Sequence, residues 1–209
     1  MTKIFAHRGA SAYAPENTME AFHLAAKQGA DGIELDVHVT KDGEVVVTHD
    51  EKIDRVSNGS GFVKDMTLRE LKRLSFHNHM ESYVGAGIPT LREVLEFVKT
   101  TTMAVNIELK TGLYWYPNIE EKTVALVHEL GMQDRIIYSS FNHHSIAKLK
   151  EIDSAAETAW LFSDVILNVE QYAKANGVEG LHPAVYHMYM SDFMKRWKKS
   201  GEKGARMEL

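Results

Sequence analysis

Three acidic side chains of this sequence have the type and spacing of a cation site. Glu34 and Asp36 end one apolar run with a single residue between them, and Glu108 ends another apolar run much later in the chain. Because side chains on a strand alternate between its two faces, Glu34 and Asp36 point the same way. Hard carboxylate oxygens suit Mg²⁺ or Ca²⁺, with water and a phosphate oxygen as the remaining ligands. Zinc is disfavoured because it usually recruits imidazole ligands.

Two histidines and two basic residues accompany these carboxylates. His7 and Arg8 follow the first apolar run of the chain, His49 follows a run of valines, and Lys110 ends the strand that carries the third carboxylate. Imidazole titrates near neutrality, so we predict His7 and His49 as general acid and base, a role typically worth about 10²–10⁴ in rate. Fixed positive charge on Arg8 and Lys110 would stabilise a phosphate in the transition state. The residues therefore predict metal-assisted cleavage of a phosphodiester.

Each of these residues also has a simpler interpretation. A lone histidine is usually a hydrogen-bonding residue, Glu-x-Asp a solvated face and Glu-x-Lys a surface ion pair. The conjunction at successive strand ends favours the site, because charged pairs aimed to one side are costly unless a ligand needs them. Trp115 and Tyr116 follow Lys110 closely and could wall the pocket, and His182 ends a strand and could line it. Packing is an equal alternative for these three residues.

Strand and helix patterns alternate along the chain and predict a parallel sheet covered by helices, either doubly wound or a barrel. Asn17, with Glu20 three residues on, predicts the start of the first helix. The tight turn Lys41-Asp42-Gly43 predicts an antiparallel hairpin that folds His49 back toward the first two carboxylates. The predicted barrel strands are 3–7, 32–38, 103–110, 135–141, 157–162 and 178–182, and the main helices after the insertion are 90–99, 118–130, 143–152, 164–176 and 191–200.

Residues 51–89 differ in texture from the rest of the chain. They are rich in glycine and serine and contain one short helix that begins at Thr67, with Glu70 three residues later. We interpret them as an insertion over one end of a single domain that spans residues 1–209.

Composition excludes several classes of protein. Lys and Arg total 24 against 29 Asp and Glu, a formal net charge of −5, which disfavours a nucleic-acid partner. There is no cysteine, and no apolar stretch approaches the length of about 20 residues that spans a bilayer. Neither nucleotide-binding glycine fingerprint is present. We predict a cytoplasmic protein without a membrane span.

Several ordered motifs give this chain a resemblance to a known family. It resembles the glycerophosphodiester phosphodiesterases, in particular the short cytoplasmic bacterial type, from residue 2 to about residue 200. The motifs are Ala6-His7-Arg8-Gly9, Pro15-Glu16-Asn17-Thr18, Glu34-Leu35-Asp36-Val37, Thr48-His49-Asp50, Arg55 followed by Asn58-Gly59, Ile88-Pro89-Thr90-Leu91, Asn106-Ile107-Glu108-Leu109-Lys110, Ser140-Phe141 and Leu181-His182-Pro183.

The resemblance implies a TIM-type (β/α) barrel of the phospholipase-C-like phosphodiesterase kind, with the hairpin and insertion at its catalytic end. It implies the same roles for the carboxylates, histidines and basic residues as the residue types do. The reaction it implies releases an alcohol from a glycerophosphodiester and yields glycerol 3-phosphate. In that reaction the adjacent glycerol hydroxyl attacks first, and water then opens the cyclic phosphate.

The sequence departs from the family pattern at its end. Relatives continue after the helix that corresponds to 191–200 with a strand carrying Trp-Thr-Val-Asn, a last helix and a closing strand. Here the chain stops at Gly204-Ala205-Arg206-Met207-Glu208-Leu209. About six of eight barrel strands are therefore expected, as in a truncated or frameshifted product. An open sheet exposes two edges, so we predict a homodimer through the open side.

Two other functions remain open. A lysophospholipase-D-like or sphingomyelinase-D-like barrel would share the metal constellation but would need an apolar groove, and the sequence shows no exposed apolar stretch to supply one. A catalytically weak or silent barrel would keep the cation site and act as a binding or assembly module. The missing tryptophan strand would have helped to wall the substrate, so the activity of this chain is the open question.

Overall fold

Strands and helices alternate along the chain in the computed structural model, which describes residues 2–190 and 192–200. The strands of this part of the chain are β1 Phe5–His7, β2 Gly32–Val39, β3 Val45–Val47, β4 Ala104–Leu109, β5 Ile136–Ser140, β6 Glu157–Phe162 and β7 Gly180–Pro183. Its α-helices are α1 Met19–Lys27, α2 Leu68–Leu71, α3 Leu91–Lys99, α4 Ile119–Leu130, α5 His143–Ile152, α6 Val169–Ala175 and α7 Phe193–Ser200.

Six of these strands form one parallel sheet in the order β1-β2-β4-β5-β6-β7, and β3 pairs with β2 in the antiparallel sense. The prediction of an incomplete barrel with about six strands is confirmed. Within the described residues β1 and β7 stand at the two ends of the strand order, so the barrel is open between them. Residues 201–209, where the sequence shows no further strand, lie outside the described part of the chain.

The predicted hairpin is present and brings the chain back to the middle of β2. Gly43 has a φ of +88°, a left-handed conformation that glycine adopts without strain, and its N–H donates to Thr40 O at 3.0 Å. After β3 the Thr48 N–H donates to Asp36 O at 3.0 Å. This return places His49, the next residue, beside the carboxylate end of the sheet.

The two faces of the sheet have different chemistry. One face is apolar and packs against the helices, as Ile33, Leu35 and Val37 do from β2. The helix α3 contributes four buried residues spaced three and four apart, which is the apolar stripe of an amphipathic helix: Leu91, Val94, Leu95 and Val98. Burying one such side chain stabilises the fold by about 1.5–3 kcal/mol. On β2 and β4 the opposite, inner face carries polar side chains, namely Glu34, Asp36, Asn106 and Glu108.

The insertion packs around a hydrophobic cluster of its own. The cluster consists of Val46, Ile53, Val56, Val63, Leu71, Phe76 and Ile88. The Thr67 hydroxyl accepts from the Glu70 N–H and the Glu70 carboxylate accepts from the Thr67 N–H, so the predicted helix start is a capping box. The Leu68 N–H donates to Asp42 Oδ1 at 2.9 Å, which ties the insertion to the hairpin turn.

The start of the first helix differs from the prediction by one residue. Thr18, not Asn17, is the N-cap, and its hydroxyl accepts from the Ala21 N–H. Asn17 has a φ of +57°, outside the extended region that an N-cap residue adopts. The helix predicted at 164–176 is also shorter, because Asn168 is left-handed and α6 begins after it. No helix in residues 2–190 and 192–200 has the length and apolar character needed to cross a bilayer.

Candidate active site

The strand register brings the three predicted carboxylates together on the inner face. Asp36 on β2 pairs with Glu108 on β4, and Glu34 lies two residues earlier on the same face. One carboxylate oxygen from each residue lies within 4.8 Å of the others, and all three residues are buried. The distance matches a single coordination sphere, in which oxygen ligands surround the cation at 2.0–2.6 Å.

Arg8 and Lys110 contribute positive charge beside these carboxylates. Arg8 Nε lies 3.6 Å from Asp36 Oδ2, and its backbone N–H donates to Glu34 Oε2 at 3.0 Å. Lys110 Nζ donates to Glu108 Oε1 at 2.8 Å and lies 3.7 Å from Asp36 Oδ1. Burial alone would lower the pKa of both basic groups. For Arg8 the charges of Asp36 and Glu16, and for Lys110 those of Glu108 and Asp36, outweigh burial and raise the pKa.

The balance of these charges fits a cation. Two positive side chains face three carboxylates, so one negative charge is left over in a buried site if all are ionised. Asp36 Oδ1 is buried and has no hydrogen-bond donor in the described structure, although Lys110 lies nearby. A divalent cation would give this oxygen a partner and leave one positive charge for an anionic ligand such as a phosphate, and Glu34, Asp36 and Glu108 could hold it.

The two predicted catalytic histidines lie on this cluster. His7 Nε2 is 3.8 Å from Glu34 Oε2. His49 Nε2 is 3.2 Å from Lys110 Nζ, and His49 Nδ1 is 2.6 Å from Asp50 Oδ1. Because an ammonium group can only donate, Nε2 is the acceptor and Nδ1–H donates to Asp50. In the neutral ring the Nε2 lone pair is therefore directed toward Lys110, whose ammonium also contacts Glu108.

A buried histidine that the sequence analysis did not assign supports this arrangement. His38 has no solvent exposure, its Nε2 lies 3.0 Å from His49 O and its Nδ1 lies 2.9 Å from the Tyr116 hydroxyl. Burial lowers the pKa of His38, so the ring is neutral, Nε2–H donates to the carbonyl and Nδ1 accepts from the phenol. The spacing could have revealed this residue, since position 38 continues the same strand face as Glu34 and Asp36.

The three predicted pocket-wall residues have different surroundings. Tyr116 is buried and hydrogen-bonded to His38, so it has the packing role that the sequence left open as an alternative. Trp115 is 67% exposed, with its ring 5.6 Å from that of His144. His182 is buried on β7, opposite Leu161 in the strand register. A wall role for Trp115 and His182 stays a prediction.

Other residues of the resemblance motifs contact the site without having been assigned to it. Asn17 Nδ2 donates to Asp36 Oδ2 at 2.8 Å, while Asn17 Oδ1 is buried without a hydrogen-bond partner. Glu16 Oε1 accepts from Arg8 Nη1 at 3.0 Å. The sequence signal was the Pro15-Glu16-Asn17-Thr18 motif, but neither residue type nor spacing showed which strand its side chains would reach.

Exposed apolar side chains lie in the loops that follow the parallel strands. They come singly from separate loops, so the prediction that the sequence has no exposed apolar stretch stays as it was. They are Tyr13, Leu113, Trp115, Phe141, Val165, Leu167, Tyr186 and Tyr189. Loops after parallel strands meet at the same end of a barrel, the end that carries the carboxylates. We refer to these eight residues as the apolar rim.

Comparisons with known proteins agree with this geometry. The glycerophosphoryl diester phosphodiesterase family matches residues 7–204. A glycerophosphodiester phosphodiesterase from Caldanaerobacter subterraneus is 42% identical over 97% of this chain and 83% of the relative. One from Bacillus altitudinis is 46% identical over 88% of this chain and 76% of the relative.

Solved structures show the same fold. A glycerophosphodiester phosphodiesterase from Agrobacterium tumefaciens superposes with a TM-score of 0.86 at 33% identity, over 99% of this chain and 86% of that one. A phosphodiesterase from Oleispira antarctica, solved in complex with the product sn-glycerol-3-phosphate, superposes with a TM-score of 0.84 at 28% identity, over 100% of this chain and 85% of that one.

Proposed function

Because the chain belongs to the glycerophosphoryl diester phosphodiesterase family, whose members are hydrolytic enzymes, we propose that it hydrolyses glycerophosphodiesters to glycerol 3-phosphate and an alcohol. The observation that supports this most directly is the convergence of Glu34, Asp36 and Glu108 within 4.8 Å, beside two cationic side chains. The product named for the Oleispira antarctica structure is the one that this reaction would release.

In this proposal Glu34, Asp36 and Glu108 hold one divalent cation, Mg²⁺ or Ca²⁺. The bound cation would neutralise charge on the phosphoryl oxygens as the transition state forms. Arg8 and Lys110 bind the phosphate, and both are charged at neutral pH because the carboxylates around them raise the pKa of each group. Donors that are already in place stabilise developing charge without reorganisation.

The two histidines would move the protons. His49 takes the proton of the attacking hydroxyl at Nε2, because Nδ1–H donates to Asp50. Nε2 accepts from Lys110 until that ammonium binds the phosphate. His7, at the Glu34 side, donates a proton to the departing alkoxide oxygen. The glycerol hydroxyl forms a bond to phosphorus as the bond to the alcohol breaks. Water then opens the cyclic phosphate with the proton roles reversed.

The proposal is tested by the release of glycerol 3-phosphate from glycerophosphocholine, measured before and after EDTA treatment and after Mg²⁺ or Ca²⁺ is added back. We expect turnover that EDTA abolishes and one of the two cations restores. Turnover that survives both EDTA and His49→Ala would contradict the mechanism. Absence of turnover together with tight cation binding would favour the silent module instead.

The exposed apolar side chains of these loops leave a second substrate class open, lysophospholipids. An acyl chain attached to the glycerophosphodiester would need apolar contacts outside the charged site, and the apolar rim contains side chains that could make them. The test compares kcat/KM for lysophosphatidylcholine and glycerophosphocholine. A preference for the acylated substrate that is lost in Leu167→Ser would support this candidate, and a preference for glycerophosphocholine would exclude it.

We also propose that two copies of the chain associate at the open side of the barrel. Each of β1 and β7 pairs with one neighbour among the described residues, so each leaves one edge without a strand. Ile4, beside β1, is 71% exposed. Unpaired edges tend to pair with another chain. Sedimentation velocity should give the mass of a dimer, and a monomer at high concentration would contradict this part of the proposal.

A further inference from the structure

Arg55, in the insertion, binds two carboxylates at once. Its Nη1 and Nη2 donate to Glu16 Oε2 and Oε1, both at 2.8 Å. Its Nε donates to Asp50 Oδ2 at 2.7 Å, and Nη2 also reaches Asp50 Oδ1 at 3.2 Å. Only the rigid, planar guanidinium presents donors in this arrangement, so a lysine could not make the same four bonds.

Each of the two carboxylates also contacts a residue of the candidate active site. Glu16 Oε1 accepts from Arg8 Nη1 at 3.0 Å, and Asp50 Oδ1 accepts from His49 Nδ1 at 2.6 Å. A continuous chain of charged groups therefore runs from Arg8 through Glu16, Arg55 and Asp50 to His49. Its members come from the loop after β1, from the insertion and from the segment after β3.

We propose that Arg55 is a positioning residue for the candidate reaction. By holding Glu16 and Asp50 together, it fixes the guanidinium that binds the phosphate and the imidazole that takes the proton, although it touches neither the cation cluster nor the substrate. The insertion thus completes the active site through one side chain. The kinetic part of this inference rests on the proposed function, and the geometric part does not.

The charge state of Asp50 and Arg55 is consistent with a positioning role for Arg55. Burial alone would raise the pKa of Asp50, but hydrogen bonds from Arg55 and His49 outweigh burial and lower it to about 2. Its contacts with Glu16 and then Asp50 raise the pKa of Arg55. Asp50 is ionised at neutral pH with or without this shift, so what Arg55 adds is the fixed position of a carboxylate that accepts the Nδ1–H of His49.

A purely structural role is the alternative, and the chain contains a matched control for it. The Arg55 side chain is 43% exposed, and exposed ion pairs usually contribute only about 0–1 kcal/mol to stability. The Arg92 side chain is 46% exposed and makes a two-bond pair with Glu129 at 2.8 and 2.7 Å, between α3 and α4. Arg92→Ala removes a comparable arginine–glutamate pair from two helices that pack outside the sheet.

The kinetic test compares Arg55→Ala, Arg55→Lys and Arg92→Ala on glycerophosphocholine. Misplacing a catalytic group by about 1 Å can cost on the order of 10²-fold. We therefore expect kcat to fall about 10–100-fold in Arg55→Ala and to stay near the wild-type value in Arg92→Ala, with similar melting temperatures. Arg55→Lys should recover only part of the loss. Guanidinium ions at millimolar concentration should partly rescue Arg55→Ala.

The separate roles of the two carboxylates give a finer readout. Asp50→Asn should lower kcat with little change in KM, because it acts on His49. Glu16→Gln should raise KM more than it lowers kcat, because it acts on the phosphate-binding Arg8. Arg55→Ala should show both changes. If instead all three variants lost the same fraction of kcat, and this loss followed the fall in their melting temperatures, the role of Arg55 would be structural. That result would overturn the proposal.

A measurement that needs no turnover keeps this inference apart from the proposed function. In protein with ¹⁵N-labelled histidine at about pH 8, where an ordinary imidazole is neutral, NMR reports which ring nitrogen carries the proton. The His49 resonance, identified by its loss in His49→Ala, should show protonated Nδ1 in the wild type and in Arg92→Ala. In Arg55→Ala the Nδ1–H proton resonance, which the hydrogen bond to Asp50 holds at low field, should move upfield or broaden through exchange with solvent. An unchanged Nδ1–H resonance in Arg55→Ala would overturn the proposal even in an active enzyme, and a changed resonance in an inactive chain would contradict only the proposed function.

Discussion

The two halves of the sheet present different inner faces. Register places Asp36 on β2 beside Glu108 on β4, then Ser139 on β5, Ala159 on β6 and Gly180 on β7. Along this row the charge ends at β4, and small neutral residues continue to the edge of the sheet. Buried carboxylates are costly, so their restriction to one half indicates that function, and not the barrel as such, requires them there.

The neutral half is built by close packing. A Cβ added to Gly180 would lie 2.9 Å from the Cβ of Ala159, a separation that side chains do not adopt, so glycine is needed at this approach of β6 and β7. On the outer face Trp160, Phe162 and Leu181 are buried in the main core. The comparison therefore predicts that substitutions in the β1–β4 half affect chemistry and that substitutions in the β5–β7 half affect stability.

The largest expected effect is that of Glu108→Gln. Loss of one cation ligand removes several kcal/mol of transition-state stabilisation, so kcat/KM should fall on the order of 10³-fold. Calorimetric titration should show weaker cation binding, and circular dichroism should show that the fold is retained.

Glu157→Gln is the matched control for this prediction. Glu157 is the same residue type on the same inner face, opposite Ile137 in the register, but it lies on β6, outside the row of Asp36 and Glu108, and is only partly buried. We expect it to keep wild-type kcat/KM and cation affinity. If Glu157→Gln lowered kcat/KM as much as Glu108→Gln does, the active site would not be confined to the β1–β4 half of the sheet.

The next effect is that of His49→Ala. Removal of a positioned base should lower kcat by about 10²–10⁴-fold while the fold is retained, as circular dichroism would verify. His128 provides the comparison, because its Nε2 lies 2.7 Å from Asp153 Oδ2 in an exposed His-Asp pair of the outer helices. If His128→Ala reduces kcat as much, a general loss of His-Asp pairs, and not the site, would explain the result.

In the neutral half, Leu181→Ala should act on stability. The Leu181 side chain is 1% exposed, and truncation of a buried leucine costs about 2–5 kcal/mol of unfolding free energy. Urea unfolding should show this loss, while kcat per folded molecule stays unchanged. A conservative Leu181→Met variant should lose less than about 1.5 kcal/mol. A large fall in kcat without loss of stability would break the comparison.

The smallest effect is a pH dependence that originates at His38. Burial lowers the pKa of His38, so the unfolded chain binds a proton at this residue at a higher pH than the folded chain does. As pH falls through about 6.5, the usual value, folding stability should decrease, by at most about 1.4 kcal/mol per pH unit for one group. His38→Gln should flatten the curve of unfolding free energy between about pH 7.5 and 5.5. The same slope in the variant would assign the pH dependence to other groups.

The sequence predicted the regular elements well because their signals are local. The bounds of α5 and β6 agree with the predicted ranges 143–152 and 157–162, and the capping box at Thr67 was predicted from spacing alone. The first helix start was missed by one residue, because Asn17 and Thr18 are both good capping residues. Asn17 is not the N-cap, because its backbone is left-handed and its side chain donates to Asp36, which is distant in sequence.

Two properties of the site were determined by the sequence alone. A strand period of two put Glu34 and Asp36 on one face, and the tight hairpin returned His49 toward them, since both depend only on neighbouring residues. Only the tertiary structure decided which distant side chains meet. His38 pairs with Tyr116 across 78 positions and Arg55 with Glu16 across 39, because strand register and the packing of the insertion set these distances. The sequence determines which groups can donate or accept a hydrogen bond, and the tertiary structure determines which of them are close enough to pair.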